Sequence, residues 1–371
     1  MNSGGERITV SELTGKPFER AAARDTVDKY GRSSLDFFKL WPEKSYLFAA
    51  DNTCVIAYKT GLCVAISLGD PVGPDDRLEQ GICEFMHFCS RKHWKVAFHQ
   101  ALADLLPTYR KLGLGVIKFG EEAVVDVAHF CSVTADHKFF RYLRHRLEHD
   151  GYTFARYVPP HTEKLLDEVK EVSDDWLTLP GRREHGFALG WFDRAYVGEM
   201  PLDVIRDSTG SLVAFVNEIP DYRKGEAELD MIRHCVRAPN SVMEYLLVRV
   251  LFDLKERGYT HLSLGLVPFT GVGTRGGANV KERLVHLLFE RGNRFFSFKG
   301  LYSFKNRFEP VWEERFLVYQ GGLIGFAQTL LAEMRVTAQY LTEQTAECNI
   351  SGAAATLLWM MSTSTRNSMN I

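Results

Sequence analysis

Short compact apolar runs with alternating character open the chain at 45–50, 53–58 and 62–67. Asp51-Asn52 and Thr60-Gly61 join them, which predicts a meander of three antiparallel strands. Gly69-Asp-Pro-Val-Gly-Pro74 then breaks the sheet. Apolar Ile82, Phe85, Met86 and Cys89 fall on one face of a helix predicted over 76–92, and 95–99 returns as a strand. A short helix at 106–112 and a strand pair within 115–127 complete this stretch. The second half repeats the order: a hairpin from 201–207 and 212–219, a third strand at 227–234, a helix to Arg257 with Asn240 as N-cap, and a return strand at 260–265. Met243, Leu246, Leu247, Val250 and Leu254 form the stripe of that helix, and Gly258 stops it.

Two segments with the order strand, strand, strand, helix, strand predict an internal duplication, although their residues barely match. A helix leading from the third strand to a parallel fourth resembles the N-acetyltransferase-like (GNAT) fold. The expected architecture is therefore mixed α/β, two tandem GNAT-like units. They are placed at 1–150 and 181–341, joined by a linker region at 151–180 that holds a turn at Val158-Pro-Pro-His161 and a further helix. A charged helix is expected over 142–151. Helical periodicity runs through 323–341, and 342–371, rich in Ser, Thr, Ala and Asn, is expected to be a flexible tail. Its apolar patch at 357–361 is expected to dock on the domain rather than to touch lipid.

The composition narrows the function classes. With 45% hydrophobic and 25% charged residues the 371-residue chain is expected to be a soluble globular protein. Forty-five Lys and Arg against 47 Asp and Glu leave a net charge of −2, so any polyanion site must be local. Seven cysteines without a C-x-x-C pair imply a reducing compartment and no structural zinc. Met1–Gly15 lacks the apolar core of a signal peptide, and no run reaches the ~18 apolar residues of a membrane span.

Three features carry candidate chemistry. The loop before a GNAT helix normally cradles the pyrophosphate of acetyl-CoA on glycine N–H groups. Here Cys235-Val-Arg-Ala-Pro-Asn240 has no glycine and Gly69–Pro74 has two prolines, which argues against acyl-CoA as donor. Second, Glu228-Leu-Asp-Met-Ile-Arg-His234 ends the third strand where this fold opens its cleft. Strand alternation sends Glu228 and Asp230 to one face and Arg233 to the other, so Asp230 and Arg233 meet only across a bulge or bend. There a carboxylate suits an ammonium group and the Arg a phosphate or developing oxyanion, or the two simply pair at the strand end. Third, Gly271–Gly277 feeds a helix predicted over 279–290. From Lys281 to Arg307 stand seven Lys or Arg against two Glu, interleaved with aromatics, as suits a nucleic-acid end or a phospholipid headgroup. A strand pair with an aromatic face and a solvated cationic face accounts for the same pattern. His185, His261 and His286 are isolated, Glu121-Glu122 reads as a turn or charged wall, and no nucleophile elbow appears.

The runs Gly186-Phe-Ala-Leu-Gly-Trp-Phe-Asp193, Glu228–His234, Leu264-Gly-Leu-Val-Pro-Phe269 and 298–312, with Leu68–Gly73 and Phe119–Ala123, resemble the catalytic domain of aminoacyl-phosphatidylglycerol synthases, the multiple peptide resistance factor family. The resemblance spans residues 30–320. It implies transfer of an amino acid, lysine or alanine, from aminoacyl-tRNA as co-substrate to a glycerol hydroxyl of phosphatidylglycerol, without metal or other cofactor. It also implies a tandem GNAT-like catalytic domain at the cytoplasmic face of the membrane, in peripheral contact with anionic lipid. Carried over residue by residue, Asp230 and Arg233 become the catalytic candidates. Glu228, Asn240, Lys299, Tyr302, Lys305 and Arg307 become candidates for binding the tRNA end or the lipid. Full-length members carry a many-helix transmembrane part that this sequence lacks, which implies an excised domain or a free-standing relative acting on another lipid, sterols included. A peptidoglycan-bridge transferase of the same fold, and a non-catalytic tRNA- or lipid-binding module, are the competing expectations.

Overall fold

The computed structural model describes residues 13–14, 17–270 and 298–338. The first half comprises β1 (Leu13–Thr14), α1 (Pro17–Tyr30), α2 (Leu35–Phe38), β2 (Ser45–Ala49), β3 (Cys54–Gly61), β4 (Val64–Leu68), α3 (Leu78–Arg91), β5 (Lys95–Ala101), α4 (Leu106–Lys111) and β6 (Gly115–Asp126). The meander, helix and return strand lie where the apolar runs place them. The expected strand pair at 115–127 is instead one strand, β6, whose Gly120 lets it pass within van der Waals distance of Val267 and Pro268.

A bridging stretch follows: α5 (Val127–Ser132), α6 (Lys138–His149), β7 (Thr153–Tyr157) and α7 (Glu163–Leu177), the last capped by the Thr162 hydroxyl accepting from Leu165 N. The second repeat is α8 (Arg194–Glu199), β8 (Leu202–Arg206), β9 (Leu212–Ile219), β10 (Glu226–His234), α9 (Val242–Glu256) and β11 (His261–Pro268). It ends in α10 (Phe298–Asn306), β12 (Val311–Tyr319) and α11 (Leu323–Ala338). Asn240 is not the N-cap of α9. Ser241 holds that position with φ 67° and no side-chain capping bond, and Asn240 stays exposed one residue upstream. The basic and aromatic stretch after 298 is a helix, not a strand pair. Phe304 of this helix packs edge-on against Phe308 just beyond it, and Phe308 packs onto Phe130 and Phe140, so a tertiary contact overrides the β-like composition. The Gly271–Gly277 loop, the helix at 279–290, the basic residues up to Arg294 and the tail from 342 lie outside the described residues.

Both repeats are thus GNAT-like, three antiparallel strands followed by a helix and a parallel fourth, and they share one 12-stranded sheet of order β1-β2-β3-β4-β5-β12-β6-β11-β10-β9-β8-β7. The repeats interlock: β12, from the second, inserts between β5 and β6 of the first, and β6 in turn pairs with β11. Helix α9 is buried nearly all round, against the sheet on one side and α5 and α6 on the other, which explains why its apolar positions exceed a single stripe.

The two parallel pairs differ in extent. β4 and β5 stay paired over all five residues from Val64↔Lys95 to Leu68↔His99. β10 and β11 pair only at Glu226↔His261, Ala227↔Leu262 and Glu228↔Ser263, then part. The opening lies toward the end of the sheet where β5 begins, since β11 runs beside β6 from Asp126 to Gly120, and Gly115 of β6 faces Tyr319, which faces Ala97.

Candidate active site at the β10–β11 fork

A bulge in β10 builds the first half of the site. Leu229 faces Glu218 on β9 and Ile232 faces Val216, so Asp230 and Met231 together stand opposite Asn217. The Asn217 side chain fills the bulge: its Oδ1 accepts from Met231 N at 2.8 Å, and its Nδ2 donates to the Tyr196 hydroxyl oxygen at 2.6 Å. Tyr196 donates in turn to Asp230 Oδ2 at 2.7 Å, and Gly190 N donates to Asp230 Oδ1 at 3.0 Å. A Cβ on Gly190 would lie 2.0 Å from Asp230 Oδ2, so only glycine permits this approach. Burial pushes the Asp230 carboxyl above the ordinary carboxylate range, with the Tyr196 and Gly190 bonds opposing the shift.

The bulge is the irregularity that Asp230 and Arg233 require to approach one another, yet each turns to a partner elsewhere. Arg233 forks onto Glu184, Nη1 to Oε1 at 2.8 Å and Nη2 to Oε2 at 2.6 Å, donates also to Ser173 Oγ, and lies 4.9 Å above the Trp176 ring. Only 4% exposed, it is a neutralised, fixed cation and not one held open for a phosphate. Glu184 also accepts from Phe192 N, so the pair ties β10 and α7 to the 184–196 segment over the Asp230 carboxylate. Across this segment Trp191 stacks on Trp41 from the first repeat at 4.8 Å, and Trp41 meets the Tyr196 ring edge-on.

The second half lies where the strands part. Gly265, at φ 78°, stands at the irregularity in β11, with Glu228 Oε1 and Lys305 Nζ each within 4 Å of the position its Cβ would occupy. Lys305 reaches in from α10 and donates to the Gly265 and Leu266 carbonyls at 2.9 and 3.1 Å. Its burial lowers its pKa to about 8. Glu228 Oε2 is buried with no hydrogen-bond partner among the described residues. Burial, with Glu122 and Asp221 nearby, raises the Glu228 carboxyl well above its ordinary range. Glu122 accepts from Ser263 Oγ and Arg315 Nη2, making it the wall of the fork and not a turn residue.

Of the eight residues singled out in the sequence, Asp230 and Arg233 lie in the first half of this site, held by separate partners, and Glu228 and Lys305 lie together in the second at Gly265. The others lie elsewhere. Asn240 gives its carbonyl to Arg146, Tyr302 stacks on Trp312 at 4.7 Å, Arg307 pairs with Glu244 beneath Phe139, and Lys299 is exposed on α10. Tyr196, Asn217, Glu184 and Gly190 escaped sequence reasoning as site residues. The one signal was Asn217, a lone amide directly after the apolar run Leu212–Val216. Among the described residues no group of His, Cys, Asp and Glu has the makings of a metal site, and no helix is long and apolar enough to cross a membrane.

Residues 24–319 match the family model for the phosphatidylglycerol lysyltransferase C-terminal region. The chain belongs to that family. It is 31% identical over 302 residues to the phosphatidylglycerol lysyltransferase of Bacillus subtilis, covering 81% of this chain, and 30% identical over 294 residues to that of Staphylococcus epidermidis, covering 79%. The alignments span 35% of those relatives' own length. Among solved structures, L-PGS from Bacillus licheniformis superposes with a TM-score of 0.76 at 29% identity, covering 88% of this chain and 98% of that one. The C-terminal domain of a putative lysylphosphatidylglycerol synthetase from Agrobacterium fabrum gives 0.74 at 29% identity, covering 86% and 97%. FemX, at 8% identity and a TM-score of 0.50 over 83% of this chain and 97% of its own, shares the fold alone.

Proposed function

We propose that this family domain moves an amino acid from the ester of its aminoacyl-tRNA to a glycerol hydroxyl of phosphatidylglycerol, at the cytoplasmic face of a membrane. The observation that carries the reading is the Asp230 carboxylate, held by Gly190 N–H and Tyr196 O–H beside the parting strands. An aminoacyl ester is already activated, so transfer needs chiefly alignment and proton movement. Asp230 takes the proton of the lipid hydroxyl as its oxygen bonds to the ester carbon, then returns it to the departing ribose oxygen as the tetrahedral intermediate collapses. Burial makes that carboxylate a stronger base than a solvated one. Tyr196 and Asn217 fix its orientation, and the Arg233–Glu184 pair holds the surrounding segment in place.

Lysine is the amino acid favoured over alanine. The unpartnered Glu228 oxygen, with Glu122 behind it, suits an ammonium group entering the fork, and the curated relatives bear the name lysyltransferase. The test is to incubate the protein with phosphatidylglycerol vesicles and radiolabelled aminoacyl-tRNAs, then chromatograph the extracted lipids. Labelled lipid with lysyl-tRNA, lost in Asp230→Asn, is expected. Label with alanyl-tRNA instead overturns the choice of amino acid, and undiminished transfer by Asp230→Asn overturns the site.

A further inference from the structure

The first repeat is electrically polarised along its strands. At the end where β5 begins, three chain segments meet: the β3–β4 turn at 60–63, the α3–β5 connection at 90–95 and the β12–α11 connection at 320–325. They contain Arg91, Lys92 and Lys95 and no Asp or Glu, and the α2–β2 connection at the same end adds only the mutually paired Glu43 and Lys44. At the opposite end of the same strands, the turns at 50–53, 69–77 and 102–105 expose Asp51, Asp75, Asp76 and Asp104, four acids against two cations, Arg77 beside Asp76 and Arg32, which reaches Asp104 at 2.9 Å and Asp75 at 3.7 Å. In a chain of net charge −2 this is a separation of sign, not an excess of one.

The cationic end also carries exposed aliphatic side chains. Ile324 is 77% exposed, Leu323 49% and Leu62 40%. Backbone and side-chain bonds hold the three segments together: Lys95 N donates to Cys63 O at 2.9 Å, Gln328 Nε2 to Leu62 O at 2.7 Å, and Gln320 N to Val96 O at 3.0 Å. Lys95 Nζ lies 3.6 Å from where a Cβ on Gly325 would sit, and Lys92 Nζ is 5.6 Å from the Trp94 ring. Aliphatic tips beside amines thus form one rigid edge, in a place where they gain nothing from the protein core.

We infer that this edge docks the domain on an anionic bilayer, with Leu62, Leu323 and Ile324 entering the headgroup region and Arg91, Lys92 and Lys95 meeting lipid phosphates. Nucleic acid offers phosphates too, but it is gripped by stacking on aromatic faces, whereas the exposed tips here are aliphatic and need an apolar phase. The acidic opposite end is repelled by the same surface, which fixes the orientation. The β10–β11 fork opens toward the docking end, so a lipid headgroup reaches it from the side the protein rests on. This extends the proposed acceptor chemistry and rests on it only for that last point.

The test separates docking from catalysis by using an anionic lipid that is not the proposed acceptor. The protein is pelleted with vesicles of phosphatidylcholine alone and of phosphatidylcholine mixed with phosphatidylserine, across salt concentrations. Turnover is measured separately on dispersed short-chain phosphatidylglycerol. Expected are salt-sensitive binding to the serine-containing vesicles only, and about a tenfold or greater loss of binding in Arg91→Glu/Lys92→Glu and in Leu323→Ser/Ile324→Ser. Both doubles should keep full turnover on the dispersed lipid, and Asp75→Asn/Asp76→Asn should bind at least as well as the parent. Absence of vesicle binding by the parent overturns the inference, as does unchanged binding by the doubles. Loss of tRNA binding or a changed oligomeric state with vesicle binding intact assigns the edge to another partner and overturns it equally. If no acceptor is ever labelled, the pelleting result still decides the docking surface.

Discussion

The two parallel forks of the sheet have the same origin in the fold and opposite fates. At the end of β4, the Lys39 ammonium donates to Asp36 Oδ1 at 2.6 Å and to the Asp70 carbonyl, while the Asp70 carboxylate accepts from Leu102 N at 2.9 Å and Tyr109 O–H at 2.6 Å. These four side chains satisfy one another and Gly69 N bonds to His99 O, although a small cavity remains beside them, lined by Arg32, Asp36, Gly69, Asp70 and Gln100, with Arg32 Nη2 buried and without a hydrogen-bond partner among the described residues. At the β10–β11 fork the strands separate after three paired positions, and among the described residues a carboxylate oxygen is left without a partner and Lys305 has only backbone carbonyls to bond. A satisfied buried network rigidifies, whereas an unsatisfied one costs stability that structure alone does not return. What distinguishes the second fork is that the unmatched group is a carboxylate at the point where the strands part, which suits a cationic group.

The sharpest way to break this comparison is to neutralise one aspartate in each fork. Asp230→Asn should lower transfer about 10²–10⁴-fold with the fold retained, while Asp70→Asn leaves transfer per folded molecule unchanged. Labelled-lipid assays on both variants check this, and an equal loss in the two would erase the distinction. Glu184→Gln leaves the Arg233 guanidinium buried without its counter-charge and should cost about 3–5 kcal/mol in denaturant unfolding. A change below 1 kcal/mol would mean that solvent already reaches that pair.

Gly190→Ala should reduce transfer about tenfold or more by displacing the Asp230 carboxylate, with a stability loss of about 1–3 kcal/mol seen in thermal melts; normal activity would show that the close approach is dispensable. The smallest effects lie in the pH dependence of stability, where Asp70 and Lys305 should contribute with opposite sign. Burial raises Asp70 from 3.8 to about 6, so the folded state binds the extra proton and stability falls as pH rises from about 4 to 6; Asp70→Asn should flatten that decline. Burial lowers Lys305 from 10.5 to about 8, so the unfolded state binds the extra proton and stability rises from about pH 8 to 10.5. Lys305→Met should flatten that rise in denaturant titrations. Unaltered slopes in both variants would remove the electrostatic contrast between Asp70 and Lys305.

Much of the fold was legible because it rests on local periodicity. The meander at β2–β4, the hairpin β8–β9 and the helix–strand returns follow from apolar spacing and turn residues. The site was half legible. Asp230 and Arg233 stand out as charges at a strand end, and the need for a bulge between them follows from the two-residue period of a strand. That Arg233 would be claimed by Glu184, 49 positions away, and Asp230 by Tyr196, 34 positions away, has no signature in spacing. For Asn240 and Arg307 the sequence suggested a place at the site, but Arg146 and Glu244 engage them elsewhere.

By itself the sequence determined the repeated strand and helix order, the missing CoA cradle and the family motifs, since each depends on residues adjacent in the chain. Only the tertiary structure decided that β12 would cross into the first repeat, that one parallel pair would run over five positions and the other part after three, and which charges would be spent on each other. Those outcomes depend on which buried polar groups find partners across long separations, and burial makes every unmatched one costly.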